Sequence, residues 1–183
     1  MAARRALVLG GTGMLAGVAA ALLDDGWRVV LPSRRRPTLP ATNGNGHGAQ
    51  WVKADWTDPA VLAEASREAL GGPADLLVAW VHREVRTGVL RAVAPLLAAG
   101  APVVEVHGSA SAHPLGGCPD PVLSDHPTQQ VVLGYVRHAG RTRWLTHDEI
   151  SAGVLDAVRR AVAGKAPHVH QVGEFRPVHT ADW

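Results

Sequence analysis

The chain has 183 residues, 46% of them hydrophobic, with 18 Lys and Arg against 16 Asp and Glu. At roughly 100–200 residues per domain this is one domain with enough apolar content for its own core. The single cysteine, Cys118, excludes an internal disulfide framework and a Cys-rich zinc site, the net charge of +2 argues against nucleic acid as a partner, and no apolar run approaches the roughly 20 residues of a membrane helix.

In chain order, residues 6–9 form a short apolar run that ends on glycine and reads as a buried strand. Gly10-Gly11-Thr12-Gly13-Met14-Leu15 follows, and the Ala/Leu-rich stretch 18–23 reads as a helix stopped by Gly26. Residues 27–31 give a second strand ended by Pro32, and 37–48, rich in Gly, Asn and Pro, a loop. Residues 50–54 are a third strand. Asp58 caps a helix with Pro59 at its first position, running to Ala69. A strand over 75–81, a helix over 87–99 strained by Pro95, and a strand over 102–106 come next, then a Pro/Gly loop over 110–127. Residues 129–137 read as a sixth strand, continued over 141–145 after a turn at Gly140. Thr146 and Glu149 match a capping box for a helix to Val162. Residues 168–172 suit a last strand and 173–183 a tail, so 1–164 is the nucleotide-binding unit and 165–183 an appendage. Alternating strands and helices predict an α/β, Rossmann-like, doubly wound and mainly parallel sheet in a single domain.

The glycine cluster carries the chemistry. Gly10 allows a tight turn off the first strand, and Gly13 lets backbone approach a pyrophosphate. The following helix start offers free N–H groups and a positive dipole end to that anion. Gly11-x-Gly13-x-x-Ala16 fits the dinucleotide fingerprint. Gly10, Gly11, Thr12, Gly13, Met14 and Leu15 are the candidate phosphate loop. The end of the second strand selects the cofactor: a carboxylate there binds the ribose hydroxyl of NAD, whereas arginine accommodates the 2′-phosphate of NADP. This chain has Ser33, Arg34 and Arg35 and no carboxylate, which favours NADP(H) over NAD(H). Asp55, followed by Trp56, either accepts from the adenine amino group or caps its own loop.

The segments ALVLGGTGMLAG, the arginine after strand two and ADWTD after strand three resemble the short-chain dehydrogenase/reductase superfamily. With LLVAWVH and RWLTHDEISAGV they resemble a compact, atypical branch of it. The resemblance spans most of residues 5–162. It implies a Rossmann fold, NADP(H) and hydride transfer, with a catalytic serine after strand five, matched by Ser109 and neighboured by Ser111. The superfamily's Tyr-x-x-x-Lys pair is absent: the sole tyrosine, Tyr135, is followed four residues on by Ala139. The usual Asn-Ala-Gly segment is replaced by Ala79-Trp80-Val81-His82.

Ligands of open α/β sheets bind beyond the carboxyl ends of the strands. That edge displays Trp80, a wall or core residue, together with His82, His107 and Ser109. A histidine there is a suitable proton donor to a carbonyl or imine receiving hydride, and Ser109 can orient that group. His168-x-His170 lacks a third metal ligand, and Cys118 lacks a base. The sequence thus predicts an NADP(H)-dependent reductase of a small carbonyl or imine with a non-standard proton donor; the alternative is a non-catalytic NADP(H)-binding sensor or partner subunit. A cytoplasmic location, no membrane partner and a homodimer are the accompanying expectations.

Overall fold

The structure is a computed structural model that describes residues 3–38, 48–108 and 117–175. Seven parallel strands form one sheet in the order β3-β2-β1-β4-β5-β6-β9. They are β1 (Arg5–Leu9), β2 (Arg28–Ser33), β3 (Ala49–Lys53), β4 (Leu76–Trp80), β5 (Val103–Gly108), β6 (Thr128–Leu133) and β9 (His168–Val172). Ala6–Leu9 of β1 and Leu76–Ala79 of β4 are all apolar and buried because both faces of the sheet are covered. In β1, Ala6 and Val8 face the layer of α1 (Ala16–Asp24) and α4 (His147–Val162), whereas Leu7 and Leu9 face that of α2 (Pro59–Leu70) and α3 (Arg83–Val93). β4 repeats the alternation, with Leu76 and Val78 on one side and Leu77 and Ala79 on the other. No helix among the described residues is long and apolar enough to cross a membrane.

Local signals explain the helix ends. Asp58 accepts from the Val61 amide and Gly71 ends α2 at φ +60°. α3 starts at Arg83, earlier than its apolar pattern suggests, and it tightens into a 3-10 turn over Ala94–Leu96 where Pro95 has no N–H to give. β2 runs through Pro32, which the sequence reads as a stop. Its pairing with β1 ends at Val30, so Pro32 lies beyond the two-sided part of the strand.

The sixth strand departs from expectation. β6 ends at Leu133, and the chain leaves the sheet at Gly134, where a Cβ would sit 2.2 Å from the Glu174 carbonyl oxygen. β7 (Tyr135–His138) and β8 (Arg141–Trp144) then form a separate antiparallel hairpin. Its two-residue turn, Ala139 at φ 48° and Gly140 at φ 76°, has the positive φ pair of a type I′ turn. An alanine in that conformation is strained, so Ala139→Asn should raise stability by about 0.5–1 kcal/mol in thermal unfolding. The last strand, in turn, is an integral part of the sheet: β9 pairs with β6 from Gln129–His168 to Leu133–Val172.

The hairpin is stapled to α4. Arg143 Nη1 and Nη2 donate to Glu149 Oε2 and Oε1 at 2.8 and 2.9 Å, and Glu149 closes a capping box with Thr146. The Arg143 hydrogen bonds, then the Thr146 amide, draw the Glu149 carboxyl from 4.5 to about 2. Its contribution is therefore present above the ordinary carboxylate range and lost as pH falls through about 2. In Arg143→Met, the Glu149 side-chain resonance should titrate closer to 4.5; an unmoved midpoint would refute the assignment.

Candidate functional site

The carboxyl ends of β1 to β4 open onto a cleft of about 770 Å³. Its floor is the turn after β1. Gly10 has φ +90°, and a Cβ there would lie 3.0 Å from both Cβ and the carbonyl oxygen of Trp80. Gly11 is buried, and a Cβ would meet Leu31 Cδ2 at 2.5 Å and Val8 Cγ1 at 2.9 Å. These two glycines are required by the chain's own packing. Gly13 differs: it lines the cleft, and nothing lies within 4 Å of where its Cβ would be. Thr12 and Met14 also line the cleft. α1 begins just beyond with no side-chain cap and no acidic residue in its first turn, so no carboxylate of that turn competes for its dipole.

The second wall comes from the ends of β2 and β3. Arg34 and Arg35 are exposed and line the cleft, while the Arg36 guanidinium lies over the Trp51 ring at 5.9 Å. The Ser33 hydroxyl donates to the Arg35 carbonyl at 2.7 Å and accepts from Trp51 Nε1 at 2.9 Å. Ser33 thus shapes the arginine loop, its proton already engaged. Asp55 Oδ1 accepts from the Thr57 amide and hydroxyl, both at 2.9 Å. These bonds, with a smaller contribution from Arg34, hold its carboxyl below the usual range. The loop-capping role is therefore real, and the side chain still lines the cleft. Trp56 meets the His82 ring edge-on at 5.5 Å, linking the ends of β3 and β4. Trp80, the last residue of β4, lines the cleft while packing on the α1–α4 core.

Three of the expected site residues lie elsewhere. Leu15 is fully buried in the core, and Gly11 lies beneath the turn. His107 is the larger correction. Its ring has no exposure because β5 turns it, with Glu105, toward the α3 layer, away from the cleft. Arg86 of α3 donates to His107 Nδ1 at 2.6 Å and to the Val81 carbonyl at 3.0 and 3.2 Å. A guanidinium can only donate, so Nδ1 accepts and His107 in its neutral form carries its proton on Nε2. Nε2 faces Glu105 Oε2 at 3.5 Å, and Glu105 Oε1 accepts from the Val122 amide at 3.0 Å. Arg86, His107 and Glu105 thus form a buried polar network behind the β4 and β5 ends. Ser109 and Ser111 fall outside the described residues.

The cleft also includes Pro32, Ala54, Thr57, Glu84 and Val85, which the sequence reading did not single out. The start of α3 directly after His82 brings in Glu84 and Val85. The buried network had a signal of its own: Glu105 and His107 share a parity in a strand otherwise built of valine and a final glycine, so both polar side chains had to face one covered side.

No protein-family model matches the chain, and no curated protein matches it. Solved structures do. An NADH-dependent reductase complexed with NAD has a TM-score of 0.69 at 18% identity, covering 96% of this chain and 98% of that one. A 3-oxoacyl-[acyl-carrier protein] reductase from Brucella melitensis gives 0.66 at 15% identity, covering 94% and 96%. A variant short-chain dehydrogenase/reductase from Serratia marcescens gives 0.63 at 18%, covering 93% and 96%. The chain has the fold of the short-chain dehydrogenases/reductases: a single Rossmann-like sheet whose carboxyl edge opens onto one glycine-floored cleft.

Proposed function

We propose that the protein is an NADP(H)-dependent reductase that delivers hydride to a small carbonyl or imine. The observation that carries this reading is the juxtaposition of an uncapped helix start, open space at Gly13 and two exposed arginines at the end of β2. This donor set suits a dinucleotide. Backbone N–H groups of the glycine turn and of α1 would hold the pyrophosphate. Arg34 and Arg35 would grip a 2′-phosphate through charge-assisted hydrogen bonds. Asp55 and Trp56 would border the adenine. When bound, the nicotinamide supplies the hydride. The chain would contribute position and a proton. His82 is the donor we favour because it is exposed and lines the cleft, whereas His107 is sealed in the network behind it. The similar solved structures support a nicotinamide oxidoreductase in general.

The second reading is a non-catalytic NADP(H) binder, favoured by the missing Tyr-x-x-x-Lys pair. Following NADPH fluorescence on binding, then NADPH loss with ketones, aldehydes and imines, separates the two. Binding without turnover on any of them selects the sensor, and no binding rejects both. Arg34→Asp should weaken NADPH by about 10- to 100-fold, the loss of one strong charged contact, and leave NADH nearly unaffected. Equal losses would show that Arg34 does not read the phosphate.

A further inference from the structure

The start of α3 lacks the device that fixes α2 and α4. Asp58 caps α2 and Thr146 caps α4, but His82, at the N-cap of α3, makes no side-chain cap bond. The entry of a chain into a helix is ordinarily fixed by such a cap. Here only Val81 and His82 separate β4 from α3, and the pairing of β4 with β5 stops at Trp80–Val106. The link that carries a cleft histidine therefore has to be held in some other way.

Arg86 supplies that hold from inside the protein. Its Nε and Nη2 donate to the Val81 carbonyl at 3.2 and 3.0 Å, and Nη2 reaches the Val106 carbonyl at 3.5 Å. Nη1 stands 2.6 Å from His107 Nδ1, which fixes the plane of the fork. The backbone acts on the next peptide: the Val85 and Arg86 amides donate to the His82 carbonyl at 3.2 and 2.9 Å. A peptide group is rigid and planar, so a fixed Val81 carbonyl also fixes the His82 nitrogen and Cα. Both peptide planes that flank His82 thus answer to residue 86, one through its side chain and one through its amide. The His82 ring remains exposed, lines the cleft and meets Trp56 edge-on at 5.5 Å.

We propose that Arg86 is the positioning residue of the cleft: braced by His107, its guanidinium fixes the Val81–His82 peptide and so sets where the His82 imidazole stands. Arg86 itself is buried and does not line the cleft. Stability does not account for a charge at this place, because burying it is costly and a well-packed apolar set is often neutral or better. Its bonds converge instead on the one link that carries His82. The proposal rests on the reductase reading only for what His82 then does, which is to give a proton to the group receiving hydride.

The test uses two variants of the full chain. R86M/E105L/H107L removes the clamp together with the polar groups it would orphan. Arg86→Lys keeps the charge, but a single ammonium cannot span the Val81 carbonyl and His107 as a planar fork does. The first readout is independent of turnover: the His82 Cε1–H resonance, with and without Trp56→Leu. In the parent, Trp56→Leu should shift that signal by removing the ring current of the edge-on indole. In the triple variant the same substitution should have less than half the effect, and in Arg86→Lys an intermediate one. The second readout is NADPH consumption with the ketones, aldehydes and imines. In the triple variant kcat should fall by about 10- to 100-fold, with KM and NADPH affinity nearly unchanged, the pattern of a misplaced group that acts only in the transition state. Arg86→Lys should retain part of the rate. A triple variant whose His82 signal answers Trp56→Leu as the parent's does overturns the clamp, and so does a parent signal indifferent to Trp56→Leu. A displaced signal with kcat unchanged overturns the role of the clamp in turnover. A displaced signal in a protein whose parent reduces none of the compounds sinks the reductase reading and upholds the clamp. If the triple variant does not fold, Arg86→Lys decides: a His82 signal and kcat equal to the parent's refute the proposal, and intermediate values of both uphold it.

Discussion

Arg86→Met will destabilise the protein by about 3–5 kcal/mol, the usual consequence of removing one partner from a buried charged set. Arg86, Glu105 and His107 are 8%, 1% and 0% exposed. Burial alone would drive the guanidinium toward neutrality, and the Glu105 carboxylate works against that. Without Arg86, Glu105 loses the guanidinium that interacts with its carboxylate, His107 Nδ1 loses its donor and the Val81 carbonyl loses its side-chain donors. Urea unfolding should show a lower midpoint with an unchanged slope. The companion variant R86M/E105L/H107L removes all three polar groups together and should recover most of the loss, because apolar replacement of a whole buried network is often neutral or better. A single variant within about 1 kcal/mol of the parent would mean that water already enters the network. The recovery in the triple variant separates the cost of orphaned charge from the cost of a cavity, which would persist.

Gly13→Val is the second large effect, and it falls on binding. With nothing within 4 Å of the added carbon, the fold has no steric reason to object, and thermal unfolding should move by less than about 2 °C, equivalent to about 0.5–1 kcal/mol at most for a chain of this size. The same side chain would stand where a pyrophosphate must approach backbone. NADPH affinity should fall by about 100-fold or more, the scale set by ångström-sized misplacement. Gly11→Ala supplies the contrast. Its methyl would meet Leu31 and Val8 at under 3 Å, so overpacking should cost about 1–3 kcal/mol of stability. If Gly13→Val binds NADPH like the parent, the cleft is not read by a dinucleotide in this way.

These two experiments mark where sequence reasoning reached and where it stopped. The parallel sheet was legible because two-sided burial writes short apolar runs, and the cleft because a strand, three glycines and a helix follow one another within residues 5–24. Arg34, Arg35, Asp55, Trp56, Trp80 and His82 line that cleft because they end strands of one polarity. His107 also ends a strand, yet its side chain points to the covered face; position along a strand predicts the edge, and only parity predicts the side. The hairpin was hidden by a different cause. Residues 129–137 look like one strand, and the break at Gly134 is dictated by the backbone of Glu174, forty residues on, which no local pattern reports.

The same distant pairing has a consequence for how the polypeptide reaches its native state. Every residue of β6 is buried, and its outer side is closed only by β9, which is made after the hairpin and all of α4. Gln129 illustrates the dependence: its amide nitrogen donates to the Lys165 and Ala166 carbonyls and its oxygen meets His170. While the nascent chain ends before residue 168, the sheet has an open edge, apolar over Val131–Leu133, able to recruit strands from neighbouring molecules. The yield of soluble protein should therefore respond to changes in the β6–β9 seam more sharply than the stability of the finished molecule does.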